Sequence, residues 1–192
     1  MNPQAMNKGY RRLFWGTFFI MLWDGSSPTL PFVPGIIGLC CCLSGTGMIF
    51  AVTDNRRFFL ARRWTQIGIG IWFLQILIVV PFFIERIPWE LRFVSYFLSA
   101  VVLIQIYSYI LIGAGEILDG GRQPYYARRA AVFAGVCALS TIGLMAEEVF
   151  GGFEVAISGW NINLLLLLYL VLALWTMHLM AVLRRGYPIL LQ

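Results

Sequence analysis

Hydrophobic residues in this chain are gathered into six runs that contain no charged side chain. The runs cover residues 13–23, 25–53, 64–84, 93–115, 130–146 and 155–183. The last five are long enough for a membrane helix, which needs about 17–25 apolar residues. The first stops at Asp24, and its length is typical of a re-entrant segment or a short tilted span.

This pattern predicts an all-α fold, a polytopic membrane helix bundle with six hydrophobic segments, of which the first is short or re-entrant. No linker rich in Ser, Pro or Gly divides the sequence, so we expect a single transmembrane domain over residues 1–192. The stretch that contains Pro28, Pro31, Pro34 and Gly35 is predicted not to be regular helix. The expected spans are about 12–24, 31–52, 64–84, 93–115, 130–147 and 161–183.

Composition favours lipid over water as the main solvent of the chain. Hydrophobic residues make up 60% and charged residues 12%, against roughly 45–50% and about 25% in soluble domains. The net charge of +5 would suggest nucleic acid in a soluble protein, but the basic residues here lie between hydrophobic runs. We therefore expect the lipid bilayer and its anionic head groups as partners, and no nucleic acid.

Basic residues alternate between successive loops. They precede the first run and follow the second, fourth and sixth, whereas only Arg86 and Arg92 of the 14 Lys and Arg lie in the opposite loops. Short loops that carry Lys and Arg remain in the cytoplasm. The count predicts a multi-pass protein of the cell (plasma) membrane with cytoplasmic N- and C-termini.

A basic segment after the second run interleaves arginine with apolar side chains, a pattern suited to the membrane surface. We expect anionic lipid head groups at Arg56, Arg57, Arg62 and Arg63. A membrane-protein partner at the same segment is the alternative.

Polar residues inside hydrophobic spans are costly and often functional. Gln75 and Gln105 have matching depths in the membrane and are expected to contact each other. The contact is either a hydrogen bond that holds two helices together or part of a ligand site. Gln105, Tyr109 and Glu116 share one helical stripe, which faces either a cavity or the bundle interior. His178 is the only histidine and lies in the last span.

Acidic and aromatic residues gather in the loops opposite the basic ones. A candidate site for a cationic or zwitterionic ligand combines their negative charge with an aromatic wall. The alternative is an interfacial belt and a loop that caps the bundle. The candidate ligand-binding residues are Asp24, Glu147, Glu148, Trp160 and Asn161.

Catalytic chemistry has little support in the sequence. Ser44 and His178 are the only possible nucleophile and base for an intramembrane hydrolase, and a triad requires defined geometry between such groups. Cys40, Cys41 and Cys42 point about 100° apart on a helix and cannot converge on one ion. We assign no catalytic residue, metal ligand or cofactor. The small residues around Cys42, and others in the fifth span, instead predict close helix packing.

The beginning of the chain resembles uncharacterised small polytopic membrane proteins of Gram-positive bacteria. The resemblance rests on Arg12-Leu13-Phe14-Trp15-Gly16, Leu30-Pro31 and Gly35-Ile36-Ile37-Gly38-Leu39, and covers about fifty residues. It implies a bacterial origin and no particular activity.

Three functions are compatible with these patterns. The first is a non-enzymatic accessory, immunity or assembly factor that acts through helix and lipid contacts. The second is a substrate-binding membrane subunit, because the size, six spans and cytoplasmic termini are similar to S components of energy-coupling-factor transporters. The third is the intramembrane hydrolase.

Overall fold

The computed structural model of the protein describes residues 3–23, 32–79, 89–118, 123–150, 154–157 and 160–186. Within them the chain forms six α-helices and one short antiparallel β-hairpin, and a π-helical segment, Phe18–Trp23, continues the first helix. The helices are α1 (Pro3–Thr17), α2 (Phe32–Thr53), α3 (Arg56–Val79), α4 (Trp89–Ile117), α5 (Gln123–Phe150) and α6 (Leu164–Gly186). The strands are β1 (Glu154–Ile157) and β2 (Trp160–Asn163).

The helices form a closed ring in chain order. Each packs against the next, and α6 returns to pack against α1. A continuous hydrophobic core receives side chains from all six helices. Tyr10 and Tyr107 are completely buried within it, and the Tyr107 hydroxyl donates to Oγ1 of Thr17 at 3.0 Å, which joins α4 to α1.

A tight turn connects α2 to α3. Asp54 takes a left-handed backbone conformation with φ 50°, which Asp tolerates better than most residues. Its N–H donates to the carbonyl oxygen of Phe50 at 2.8 Å. The side chain of Asn55 then caps α3, because its Oδ1 accepts from the N–H of Arg57 at 2.8 Å. The two helices are therefore antiparallel neighbours.

The α1–α2 interface brings two backbones into contact. A Cβ placed on Gly16 would lie 2.9 Å from the carbonyl oxygen of Gly38, and one on Gly45 would lie 2.9 Å from that of Gly9. The small-residue face predicted for the second span is thus confirmed as a close-packing face. Its partner is α1, whereas α5, which carries the other small residues, packs mainly against α4 and α6.

The predicted six hydrophobic segments are only partly confirmed. Six helices are present, but the described part of the chain contains three that are long and apolar enough to cross a membrane, at Pro34–Thr53, Phe93–Ile117 and Leu167–Arg185. Two arginines lie in the third turn of α1 and two in the second turn of α5. The apolar stretch of α3 is described only as far as Val79, so the rest of its predicted span lies outside the described residues.

The first and last predicted spans need correction at their beginnings. The first apolar run is the second half of a continuous helix that starts at Pro3 and runs through Trp23, a length of about 30 Å. That this segment is short or re-entrant in the membrane stays a prediction. Helix also includes Pro34 and Gly35, which were predicted to lie outside it, because α2 begins at Phe32 and the first turn of a helix tolerates proline. The predicted last span started at 161, but β2 ends at Asn163 and helix begins only at Leu164.

Candidate functional site

One end of the bundle collects nearly all the described positive charge. Because neighbouring helices are antiparallel, α1, α3 and α5 begin where α2, α4 and α6 end, as the contacts of Arg57 with Glu116 and of Asn7 with Arg184 show. We call this the cationic end. Its described basic residues are Lys8, Arg11, Arg12, Arg56, Arg57, Arg62, Arg63, Arg128, Arg129, Arg184 and Arg185.

Glu116 joins α4 to the turn between α2 and α3. Its two carboxylate oxygens each accept a 3.0 Å hydrogen bond, one from Nε of Arg57 and one from Nδ2 of Asn55. A Cβ placed on Gly113 would lie 2.9 Å from the Cβ of Arg57, so the two helices are in close contact here. In the part of the chain that the structure describes, this is the sole ion pair between acidic and basic side chains.

The four arginines predicted to meet anionic lipid are not equivalent. Arg57 is engaged by Glu116, so its charge is compensated. Arg56, Arg62 and Arg63 are exposed, and the guanidinium of Arg63 stacks 5.1 Å from the centre of the Phe59 ring. Three of the four guanidinium groups are therefore accessible.

A larger basic feature lies between α1 and α6. A cavity of about 530 Å³ is lined by Asn7, Phe14, Ala181, Arg184 and Arg185. Oδ1 of Asn7 accepts a 2.8 Å hydrogen bond from Nε of Arg184, which fixes the orientation of that guanidinium. Arg185 is exposed beside it. The cavity thus has arginine at its charged edge and the Phe14 ring as an apolar wall.

In the sequence, Arg184 and Arg185 indicate only the topology of the chain. The cavity depends on α6 packing against α1, across almost the whole length of the chain, and no local pattern encodes that contact. The available signal was the Arg184-Arg185 pair in the last turn of the last helix, where basic side chains also suit the helix dipole.

The predicted site in the opposite loops falls largely outside what the structure describes. Asp24 lies outside the described residues. Glu147 and Glu148 are in the last turn of α5, and Trp160 and Asn161 are in β2, but their side chains are not described. The ligand site that combines them stays a prediction.

Gln75 finds partners on α4, though not the one predicted. Its Nε2 donates to the carbonyl oxygen of Ser95 at 3.3 Å and to the hydroxyls of Ser95 and Ser99 at 2.9 and 3.2 Å. Gln105 lies six residues beyond Ser99, which is about 1.7 turns or about 9 Å along the helix. The amide of Gln75 is therefore satisfied by serines, and the expected Gln75–Gln105 pair is not formed.

The predicted polar stripe of α4 is only partly buried. Gln105 and Tyr109 are half-buried, and Glu116 is exposed at the cationic end. The fully buried face of α4 is a different one, formed by Ile106, Tyr107, Ile110, Leu111 and Ala114. The stripe from Gln105 to Glu116 thus flanks the bundle interior.

The structure does not bring Ser44 and His178 together. The Ser44 hydroxyl accepts a hydrogen bond from Arg12 of α1, and α1 packs against both α2 and α6. His178 is exposed, and within the described ranges no side chain is hydrogen-bonded to it. The serine is thus held by an arginine, and no described group activates it.

Comparison with known proteins leaves the site to be interpreted from its own geometry. The resemblance of the first fifty residues to small membrane proteins of Gram-positive bacteria stays a prediction. No family model, curated protein or solved structure matches this chain.

Proposed function

We propose that this chain is a multi-pass protein of the cell membrane that binds anionic phospholipid at its cationic end and acts without catalysis, as an accessory or assembly-type factor. The α1–α6 cavity carries the proposal. It places Arg184 and Arg185 next to an apolar wall that includes Phe14, which suits a phosphate group attached to an acyl chain.

The chemistry of the cavity favours phosphate over other anions. A guanidinium presents a planar fork of donors that matches phosphate oxygens, and such charge-assisted hydrogen bonds are among the stronger ones. Asn7 already orients Arg184, so less side-chain freedom is lost when a head group binds. The exposed Arg56, Arg62 and Arg63 add attraction of about 1 kcal/mol each near an anionic surface.

The cavity must face the leaflet that carries anionic lipid. The alternation of basic loops supports a cytoplasmic cationic end, with both termini on that side. We expect cysteines engineered near Ser27, Glu90 and Glu154 to be labelled by an impermeant reagent from outside, and those near Asn55, Gln123 and Gln192 to be protected. External labelling near Gln123 would contradict this orientation.

Native mass spectrometry of the purified protein with added phosphatidylglycerol tests the lipid site. We expect Arg184→Gln, Arg185→Gln to weaken the tightest binding step about tenfold, the equivalent of about 1.4 kcal/mol. The matched control is Lys8→Gln, Arg128→Gln, which removes the same charge from exposed positions of the cationic end that neither line the cavity nor belong to the Arg56–Arg63 segment, and it should cost about twofold.

Two outcomes would contradict the proposal. Equal losses in the two double variants would mean that lipid responds only to overall charge. Equal affinity of the wild type for phosphatidylcholine and phosphatidylglycerol would mean that the arginines do not select an anionic head group.

A further inference from the structure

One side of α2 faces out of the bundle near the cationic end and carries small side chains. Cys40, Ser44, Gly47 and Ala51 follow one another at spacings of four, three and four, so they lie on the same side of the helix. Cys40 and Ala51 are exposed and Ser44 and Gly47 are half-buried, whereas Thr46, on the opposite side, is completely buried. We call the side formed by these four residues the outer face of α2.

Two arginines reach this outer face from the helices on either side of it. Nη1 of Arg12, on α1, donates a hydrogen bond to the hydroxyl of Ser44. Nε and Cζ of Arg62, on α3, lie 3.7 and 3.8 Å from where a Cβ on Gly47 would be. Because α2 packs between α1 and α3, the guanidinium groups approach it from opposite sides. Residues three apart on a helix have Cβ atoms about 5–6 Å from each other, so the two groups lie about one turn apart.

The positive charge of this arginine pair is not balanced by a described acid. In the part of the chain that the structure describes, the sole ion pair joins Arg57 to Glu116, and the partner of Arg12 is a neutral hydroxyl. Both Arg12 and Arg62 are exposed. Like charges repel more strongly as the surroundings become less polar than water, so an anion between the two guanidinium groups would stabilise this arrangement.

Apolar side chains lie below the arginine pair, toward the middle of the bundle. Phe19 is seven residues beyond Arg12 on α1, and Ile37 is seven residues before Ser44 on the antiparallel α2. A spacing of seven is close to two turns, or about 10 Å along the axis, so each lies on the same side of its helix as the polar residue above it. Ile37 is 42% exposed, and the Phe19 ring lies 6.4 Å from that of the exposed Trp15. The surface is therefore amphipathic, with cations above and apolar groups below.

Charge balance selects among phosphate-containing ligands. A terminal phosphate, which is a monoester, carries about −1.5 to −2 charge at pH 7 and three strong acceptor oxygens, whereas a phosphate diester carries a single negative charge. Two guanidinium groups match the monoester, since each presents a fork of donors to phosphate oxygens. The Ser44 hydroxyl, which accepts from Arg12, can also donate its own hydrogen to a phosphate oxygen.

We propose that the outer face of α2 binds the terminal phosphate of a lipid phosphomonoester, of the class of phosphatidic acid, between Arg12 and Arg62. The acyl chain lies along the apolar surface formed by Trp15, Phe19 and Ile37. This site rests on the part of the proposed function that places the cationic end among lipid head groups. It shares no residue with the α1–α6 cavity, so binding at the two places is tested by different variants.

The test compares phosphatidic acid with phosphatidylglycerol of the same acyl chains, by native mass spectrometry of the purified protein. We expect Arg12→Gln, Arg62→Gln to weaken the tightest binding step of phosphatidic acid about tenfold and that of phosphatidylglycerol about twofold, because charge-assisted hydrogen bonds to the terminal phosphate are lost. The matched control is Arg11→Gln, Arg63→Gln, which removes the same charge from adjacent exposed positions of the same two helices. It should weaken both lipids by about twofold.

A pair of glycine variants tests the same site without changing its charge. Gly47→Leu fills the space beside Arg62, and its Cβ would come no closer than 3.7 Å to another atom, so the fold accommodates the start of the side chain. Gly70→Leu, on α3, is the control, because its Cβ would meet nothing within 4 Å. We expect Gly47→Leu to weaken phosphatidic acid binding about fivefold, since the added side chain excludes the phosphate, and Gly70→Leu to leave it unchanged.

Glycerol 3-phosphate separates a lipid from a soluble ligand, because it carries the same terminal phosphate without acyl chains. We expect it not to compete with phosphatidic acid at equal concentration, and equal competition would overturn the assignment to lipid. Equal losses of phosphatidic acid binding in the two double arginine variants would show that only overall charge matters. Equal weakening of the two lipids by Arg12→Gln, Arg62→Gln would show that the pair does not select a monoester. Either result overturns the proposal, while the α1–α6 cavity is judged separately from the Arg184→Gln, Arg185→Gln variant.

Discussion

Two neighbouring helix pairs in this bundle are held together in opposite ways. Between α1 and α2, glycines face the carbonyl oxygens of the partner helix, and no space remains for a side chain. Between α3 and α4, the amide of Gln75 bonds to Ser95 and Ser99, and a cavity remains beside it. In lipid, where apolar burial gives little net attraction between helices, close packing and interhelical hydrogen bonds are the two available means.

The difference separates a rigid part of the bundle from an adaptable one. Backbone contact fixes the distance and register of α1 and α2, because any added atom meets main chain that cannot move aside. Hydrogen bonds between side chains tolerate small rearrangements, and a cavity provides room for them. Small rearrangements are therefore expected to be easier near α3 and α4, and stability against substitution is expected to be lowest along α1 and α2.

The largest expected effect is that of Gly16→Ala. The new Cβ would lie 2.5 Å from Sγ of Cys42 and 2.9 Å from the carbonyl oxygen of Gly38, so the helices must separate. We expect a loss of about 1–3 kcal/mol of unfolding free energy, as for other overpacked sites, measured by unfolding in mixed micelles. Gly135→Ala is the control, because its Cβ meets nothing within 4 Å and alanine favours helix by up to about 1 kcal/mol. The two variants should change stability in opposite directions, and a shared sign would refute the account of α1 and α2.

A smaller effect is expected from Glu116→Gln at the turn between α2 and α3. The substitution removes the charge that Arg57 and Asn55 both contact. The side chains are 42% and 27% exposed in the Arg57–Glu116 pair, so screening limits the loss to about 1 kcal/mol. Unfolding of the wild type and variant in low and high salt should show the difference shrinking as salt increases. Glu90→Gln removes an exposed acid from the first turn of the same helix, where only the helix dipole is affected, and should have a smaller effect.

Gln75→Leu should have the smallest effect of the three. It removes the bonds to Ser95 and Ser99, and polar contacts of this kind in membrane bundles average about 0.6 kcal/mol. The serine hydroxyls can then bond to carbonyl oxygens of their own helix. A loss larger than that of Gly16→Ala would reverse the comparison between the two helix pairs.

The sequence predicted helix positions better than helix contacts. Charge-free runs located all six helices approximately, because burial in lipid requires long apolar stretches. The same criterion misplaced the start of α1, since the charges of Lys8 and Arg11 predict a span that begins only at about residue 12, although helix continues through both residues. Long basic side chains extend from a helix end toward the head groups, so charge marks the depth of a helix better than its beginning.

Contacts between helices were harder to predict, since they depend on rotation and on which helices are neighbours. The close packing of α2 followed from its glycines, but its partner α1 did not. The sequence indicates that Gln75 needs a hydrogen-bond partner, and depth in the membrane alone points to Gln105. The actual partners are serines, which lie on the side of α4 that faces α3. The cavities beside Gln75 and Arg184 require four and two helices to be in place, and neither could be read from local spacing.

The contact between α6 and α1 also sets an order for assembly. Asn7 and Arg184 are separated by 177 positions, so α1 cannot contact α6 until these positions have been synthesised. At about 5–20 residues per second this takes roughly 10–40 s. During that interval the face of α1 that α6 will cover is open to lipid or to other membrane proteins. A chain truncated before α6 would retain the α1–α2 pair but would leave uncovered the face of α1 that α6 packs against.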